Sequence, residues 1–506
     1  MNLKIKFLEG EKWWGGSVAD GWKMPLTEQS EYMLDCSVNR TYNQFNGLFV
    51  STKGRYVFFE GGGKIIASNG ELYFDDLQGE PTLGDGYGTL KNAYCAAVKK
   101  HFNTEEKNFN NIFAKPLYCT WAEMLMNPTQ KKILNYADSI IDADLPKSCI
   151  IIDDGWMKNY GDWVFDERKF ANPKEMICQL HQKGFLVMLW VVPFVNENSL
   201  AYDLLKKKGA LLCDSQGNVQ KVEWWNGISA VLDLSKDVAL EWITEILDGL
   251  KNKYGIDCFK FDAGDAMYYE FDENTGIGNQ QSMYWAKLAN RYPGSELRAC
   301  MGMGGEPIMQ RLSDKRNNFS KEGLGGLVDG VIQAGLCGYP YVCADMIGGG
   351  QISDFQNGNS ANKEFFVRSV QMATFFPIMQ FSYAIWNMKQ EIQDVLKSCC
   401  TIRKRIEPYI QKLMLEATLT AEPIVRPLEY EFPDCDEETA QRTFLIGDRY
   451  LVVRTVEENF NKCMIILPQG TSWERNNGMV YNPGEEVVVF VGLNEVCFFE
   501  RRNYNL

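Results

Sequence analysis

Three apolar runs in this 506-residue chain end on aspartate: SCIIIDD at Asp153 and Asp154, IDCFKFD at Asp262, and YPYVCAD at Asp345. Each reads as a buried strand, where a charge is costly unless it is paired or put to use. IDCFKFD also carries Lys260, two positions before Asp262. Its ammonium either keeps that carboxylate ionised or merely neutralises a buried strand end. Carboxylates brought together from distant positions can act as nucleophile, general base or general acid. Tryptophans accompany them: Trp121 after PLYCT, Trp156 in DDGW, Trp190 in VMLWVVP, and the pair Trp224-Trp225. Paired carboxylates ringed by indoles suit a sugar, whose hydroxyls need acceptors and whose C–H faces pack on flat apolar surfaces. The expected chemistry is glycoside hydrolysis.

Other chemistries find little material. The chain has two histidines, His101 and His181, and His181 falls in the helical stretch NPKEMICQLHQKG. That scarcity argues against Ser-His-Asp or Cys-His hydrolysis and against histidine-rich metal sites. No metal or organic cofactor is implied. The 15 cysteines form no CxxC pair, and several sit inside apolar runs, as buried reduced thiols in a cytoplasm would. A net charge of -14 with no basic cluster on any expected helix gives no footprint for nucleic acid. The start, MNLKIKFLEGEKWWGG, has no secretory-signal pattern, and no apolar run reaches the length of a membrane span. A soluble, cytoplasmic protein with a small glycoside or oligosaccharide as its partner is expected; self-association is left open.

Strand ends can converge only if the elements between them bring the chain back. Residues 1–110 hold short β-rich segments broken by Gly, Asn and Asp, which suggests an N-terminal β-sandwich. From about Lys115 strands and helices alternate. Asn127-Pro128 reads as a helix start, followed by the apolar face of Ile133, Leu134, Ala137, Ile140 and Ile141. Asn172-Pro173 opens the next helix and Gly184 closes it before FLVMLWVVPFV. A helix over 238–254 precedes IDCFKFD, and LRACM, YPYVCAD and FFPIMQF continue the alternation up to a long helix near 388–416. The count approaches eight βα units, so residues 111–416 are read as a (β/α)8 barrel, an α/β fold whose site lies at the carboxyl ends of its strands. Residues 417–506 form a second small β domain, again read as a sandwich.

These motifs resemble glycoside hydrolase family 31. FKFDAGD is similar to the family's nucleophile strand, which implies Asp262 as nucleophile. Arg298 in LRACM matches the sugar-binding arginine, and Asp314, sixteen positions on, falls where the family has its acid/base. GYPYVCADMIGG resembles the segment that follows, which makes Asp345 a pocket residue and not the proton donor; it is the fallback for that role because the segment bearing Asp314 departs from the family pattern. EPIVRPLEYEFP, FLIGDRYLVV and LPQGTSWERNNGMVYNPGEEV extend the likeness, so that it covers about residues 115 to 490. Within the family, IIDDGWMKNYGDWVFD, LWVVPFVNENS, WWNG, ADMIGGG and PIMQFS resemble a branch that includes bacterial α-galactosidases.

The resemblance implies a retaining α-glycosidase, with Trp121, Asp153, Asp154, Trp190, Trp225, Lys260, Arg298 and Asp345 binding the sugar. Two segments depart from the family pattern. Gln380-Phe381-Ser382 stands where many α-glucosidases have Arg-x-His, and Arg311-Leu312-Ser313-Asp314 stands where Trp-x-Gly-Asp is usual. Glucose is thereby disfavoured, and DDGW points to galactose: adjacent carboxyl groups can embrace an axial 4-hydroxyl together with the 6-hydroxyl. An α-glucosidase or other α-glycosidase, a transglycosylase and a non-catalytic sugar-binding protein remain as alternatives.

Overall fold

A computed structural model describes residues 1–102, 114–269, 277–356 and 362–502. Eight parallel strands close into a barrel: β1 (Leu117–Cys119), β2 (Cys149–Ile152), β3 (Leu186–Val191), β4 (Cys258–Phe261), β5 (Glu296–Leu297), β6 (Met309–Arg311), β7 (Val342–Met346) and β8 (Ile378–Phe381). Neighbours in space follow chain order, and β8 pairs with β1 to complete the ring. The strands are buried on both faces because helices pack outside and side chains fill the interior. Ile150, Ile151 and Ile152 are fully buried, each contributing about 1.5–3 kcal/mol of apolar burial.

The connecting helices start where their caps allow. Helix α1 (Gln130–Asp142) is capped by Thr129, whose side chain accepts from Lys132 N. The start expected at Asn127-Pro128 thus moves two residues on, since it is the Thr129 oxygen that reaches a free amide of the first turn. Helix α2 (Pro173–Gln182) has the expected Asn172 cap, accepting from Glu175 N at 3.2 Å, and Gly184 follows its end at φ +91°. Helix α3 (Asp237–Tyr254) lies between β3 and β4, and α4 (Ile277–Asn290) between β4 and β5. After β6, β7 and β8 come α5 (Leu327–Leu336), α6 (Lys363–Ala373) and the 31-residue α7 (Gln390–Thr420).

Between β5 and β6 there is no helix among the described residues. LRACM, expected as one barrel strand, divides: Glu296–Leu297 stays in the barrel, while Cys300–Met301 leaves it to pair with Gln44–Phe45 of the N-terminal sheet. That domain packs a four-stranded antiparallel sheet against a sheet of five strands that includes this visitor. Its hydrophobic core is continuous with the barrel's. The C-terminal domain has a six-stranded and a two-stranded sheet around a core of its own. The expected boundary at 110/111 lies outside the described residues. No helix among those described is long and apolar enough to cross a membrane.

Candidate active site

The carboxyl ends of the barrel strands open into a cavity of about 670 Å³. Asp153 and Asp154 reach it directly after β2, Asp262 after β4, Arg298 after β5, and Asp314 from the loop after β6; Trp190 and Lys260 reach it from within β3 and β4. Trp121, at the start of the turn after β1, lines the wall and donates its indole N–H to Gly350 O at 3.0 Å. Trp225 comes from a hairpin inserted after β3 and lies 4.9 Å beneath the Arg298 guanidinium. Trp156 does not reach the cavity; it is buried, with its indole N–H bound to Trp190 O.

Asp262 is clamped. Oδ2 accepts from Trp190 Nε1 at 2.9 Å and Oδ1 from Ala263 N at 3.0 Å. Arg298 Nε and Arg311 Nη2 each lie 3.4 Å from Oδ1. Burial opposes ionisation of Asp262, but the two guanidinium groups, with Lys260, override it and hold the carboxyl far below its usual range. The backbone turns sharply just beyond, with Ala263 at φ +51° and Gly264 at φ +77°. A side chain at Gly264 would meet the Trp285 ring at 2.2 Å, so this exit requires glycine.

Asp153 and Asp154 differ in environment although they are neighbours. Lys260 Nζ lies 2.7 Å from Asp153 Oδ2, which also accepts from Cys119 Sγ. Burial disfavours the Lys260 ammonium, yet Asp153 outweighs that and holds its proton well above the usual range. Asp154 makes no ion pair among the described residues. Tyr160 OH donates to it at 3.0 Å and Asn226 Nδ2 at 2.7 Å, both from hairpin turns beyond β2 and β3. Burial, then the charge of Asp153, pushes Asp154 up to about 8. At neutral pH it is largely a carboxylic acid, able both to donate and to accept at a sugar hydroxyl.

Of the residues expected to bind sugar, seven line this cavity; Asp345 does not. Its side chain is 2% exposed, against 29% for Asp314, because the loop carrying Asp314 folds over it. The structure also brings in groups that sequence reading passed over. Arg311 places Nη2 near Asp262 and Nη1 2.5 Å from Asp314 Oδ1, so one guanidinium touches both carboxylates. Below them Glu296 lies 3.0 Å from Arg311 Nε and 3.8 Å from Lys260 Nζ, and accepts from Gln380 Nε2. Asp265, also missed, pairs with Arg298.

The N-terminal domain completes the site. Trp22 and Tyr42 line the cavity mouth. Asn43 N donates to Asp265 Oδ1 at 3.0 Å, Asn43 Nδ2 donates to the carbonyls of Arg298 and Arg311, and Asn43 Oδ1 accepts from Ser313 N at 2.7 Å. Gln44 Nε2 reaches the same two carbonyls.

Comparison with known proteins agrees with this geometry. The model described as "Glycosyl hydrolases family 31 TIM-barrel domain" matches residues 117–320 and 299–413, and that for the family's C-terminal domain matches 421–504. The mouse "Myogenesis-regulating glycosidase" is 32% identical over 420 residues, covering 79% of this chain and 58% of that protein. An "Alpha-xylosidase" of Emericella nidulans is 22% identical over 439 residues, covering 80% and 54%. Among solved structures, an α-xylosidase from a soil metagenome complexed with xylose superposes with a TM-score of 0.84 at 20% identity, covering 99% of this chain and 79% of that one. A Flavobacterium johnsoniae dextranase complexed with glucose gives 0.85 at 19% identity, covering 99% and 66%. This chain spans about half the length of the curated relatives it matches.

Proposed function

The chain belongs to glycoside hydrolase family 31, and from that premise we propose that it is a retaining α-galactosidase that removes terminal α-galactosyl residues by double displacement. The observation that carries the reaction class is the Arg311 fork: two carboxylates face one cavity, each held by a different nitrogen of the same guanidinium. Asp262, kept ionised by its cations, attacks the anomeric carbon. Asp314 protonates the departing glycosidic oxygen, and a β-linked glycosyl ester of Asp262 results. Water then attacks the anomeric carbon from the face the leaving group vacated and gives its proton to Asp314, so the α-configuration is restored. Asp314 suits the proton donor better than Asp345, because it lines the cavity and Asp345 does not.

The sugar is read at the floor. Asp153, paired with Lys260, accepts from one hydroxyl, and Asp154 as a neutral acid both accepts and donates. The axial 4-hydroxyl and the 6-hydroxyl of galactose lie on the same side and fit such a pair. Trp190 and Trp225 supply apolar faces for the ring. The relatives' names, a glycosidase and an α-xylosidase, support the reaction class and leave the sugar to these contacts.

Hydrolysis of a panel of aryl α- and β-glycosides by the purified protein tests the reading, with Asp262→Asn as control. Turnover of the α-galactoside, lost in the variant, is the expected result. Turnover of an α-glucoside instead keeps the mechanism and rejects the sugar. Silence across the panel favours a sugar-binding protein without catalysis.

A further inference from the structure

Asp345 sits behind the cavity wall at the end of β7, held there by several contacts. Its Oδ1 lies 3.3 Å from Arg311 Nη1, the nitrogen that also holds Asp314 Oδ1. Its Oδ2 accepts from Lys315 N at 2.7 Å. Its backbone adopts φ +145°, a conformation rare for an L residue, which persists only where the surroundings over-determine it.

The arrangement answers a difficulty in the acid step. A guanidinium in contact with a carboxyl group favours the ionised form, which works against the proton that the leaving group needs. A second carboxylate on the same nitrogen works the other way, because two anions sharing one site cannot both ionise cheaply. We propose that Asp345 is a positioning residue which, through the Nη1 of Arg311 that the two carboxyls share, keeps a proton on the Asp314–Asp345 pair until the leaving group takes it from Asp314.

The proposal rests on the reading of Asp314 as the acid/base. When Asp314 carries the proton, Asp345 is the ionised partner, stabilised by Arg311 and the Lys315 amide. The groups facing Asp345 are Arg311 from β6, Asp314 and Lys315 from the loop beyond it, Cys343 from its own strand and Tyr383 from beyond β8. Burial, and after it the charge of Asp314, raises Asp345 to about 7, in the direction a shared proton requires.

The test compares leaving groups. A 4-nitrophenolate departs with little help from an acid, whereas methoxide needs a proton. In Asp345→Asn, kcat/KM for methyl α-galactoside should fall about tenfold or more and that for 4-nitrophenyl α-galactoside less than about threefold, as expected for weakened general-acid catalysis. With Arg311 unopposed, Asp314 gives up its proton more easily, so the alkaline limb of the kcat/KM profile moves to lower pH. Asp345→Glu, which keeps the charge, should restore the limb and serves if the asparagine variant does not fold. An equal fall for both substrates with an unmoved limb, or no change in either, overturns the proposal. Asp314→Ala separates the two readings: retained activity on the nitrophenyl substrate, raised by azide, supports Asp314 as acid/base whatever Asp345 does. Loss of both substrates alike in Asp314→Ala removes the foundation of the proposal.

Discussion

A carboxyl group shut away from water keeps its proton to higher pH, and Asp154 is such a group, raised to about 8 by burial and by Asp153. In the unfolded chain it ionises near pH 4, so between about pH 4 and 8 the folded state binds one more proton at this position than the unfolded state. The stability from that group is therefore complete below pH 4 and is lost as pH rises through 8. Asp154→Asn cannot titrate, so its melting temperature, measured against the parent from pH 4 to 8.5, should gain on the parent steadily across that window. The same variant should lose α-galactoside turnover far more than stability; equal losses would remove the specificity role. Asp153, Asp154 and Asp262 were legible in the sequence because each closes an apolar run. Arg311 and Glu296 were not. Both sit on strands of two or three residues with no apolar pattern, and their charges find partners only once the barrel has closed.

Among the elements, the exit from β4 fixes where Asp262 points. Asp262 N donates to Val191 O on the neighbouring strand, and the chain then turns through Ala263 and Gly264 at positive φ. Gly264→Ala adds a Cβ against Trp285 at a backbone angle that disfavours it, at a cost of about 2 kcal/mol or more. Thermal unfolding should report the lost stability, and kcat should fall as well, because relief of the clash shifts Asp262; an unchanged kcat would show that the exit is not what aims Asp262. In FKFDAGD the glycine reads as a tight exit, because it stands two residues after a strand-ending aspartate. Strand β6 was not readable, since Met309-Gln310-Arg311 has neither the length nor the hydrophobic run of a core strand, and with the three-residue β1 also unassigned the strands read from the sequence stop two short of a closed barrel.

In the whole molecule, the N-terminal domain is a structural part of the candidate site. Where a helix would return the chain from β5 to β6, Cys300–Met301 joins the N-terminal sheet instead, and Arg298 and Arg311 on either side of that excursion present their carbonyls to Asn43 and Gln44. A continuous apolar core links the two domains, so they should melt together in one calorimetric transition. Asn43→Ala tests how tightly the two are joined at the site. It removes one of the two donors to each of two buried carbonyls, which keep Gln44 Nε2, and the acceptor of Ser313 N; one group left unpaired costs about 1–3 kcal/mol, and a loss of that size is expected. Because those groups belong to Arg298, Arg311 and the loop bearing Asp314, kcat/KM should fall together with the melting temperature. A variant that melts early yet turns over normally well below its transition would mean that the barrel holds its arginines without help, and that the sandwich adds stability alone.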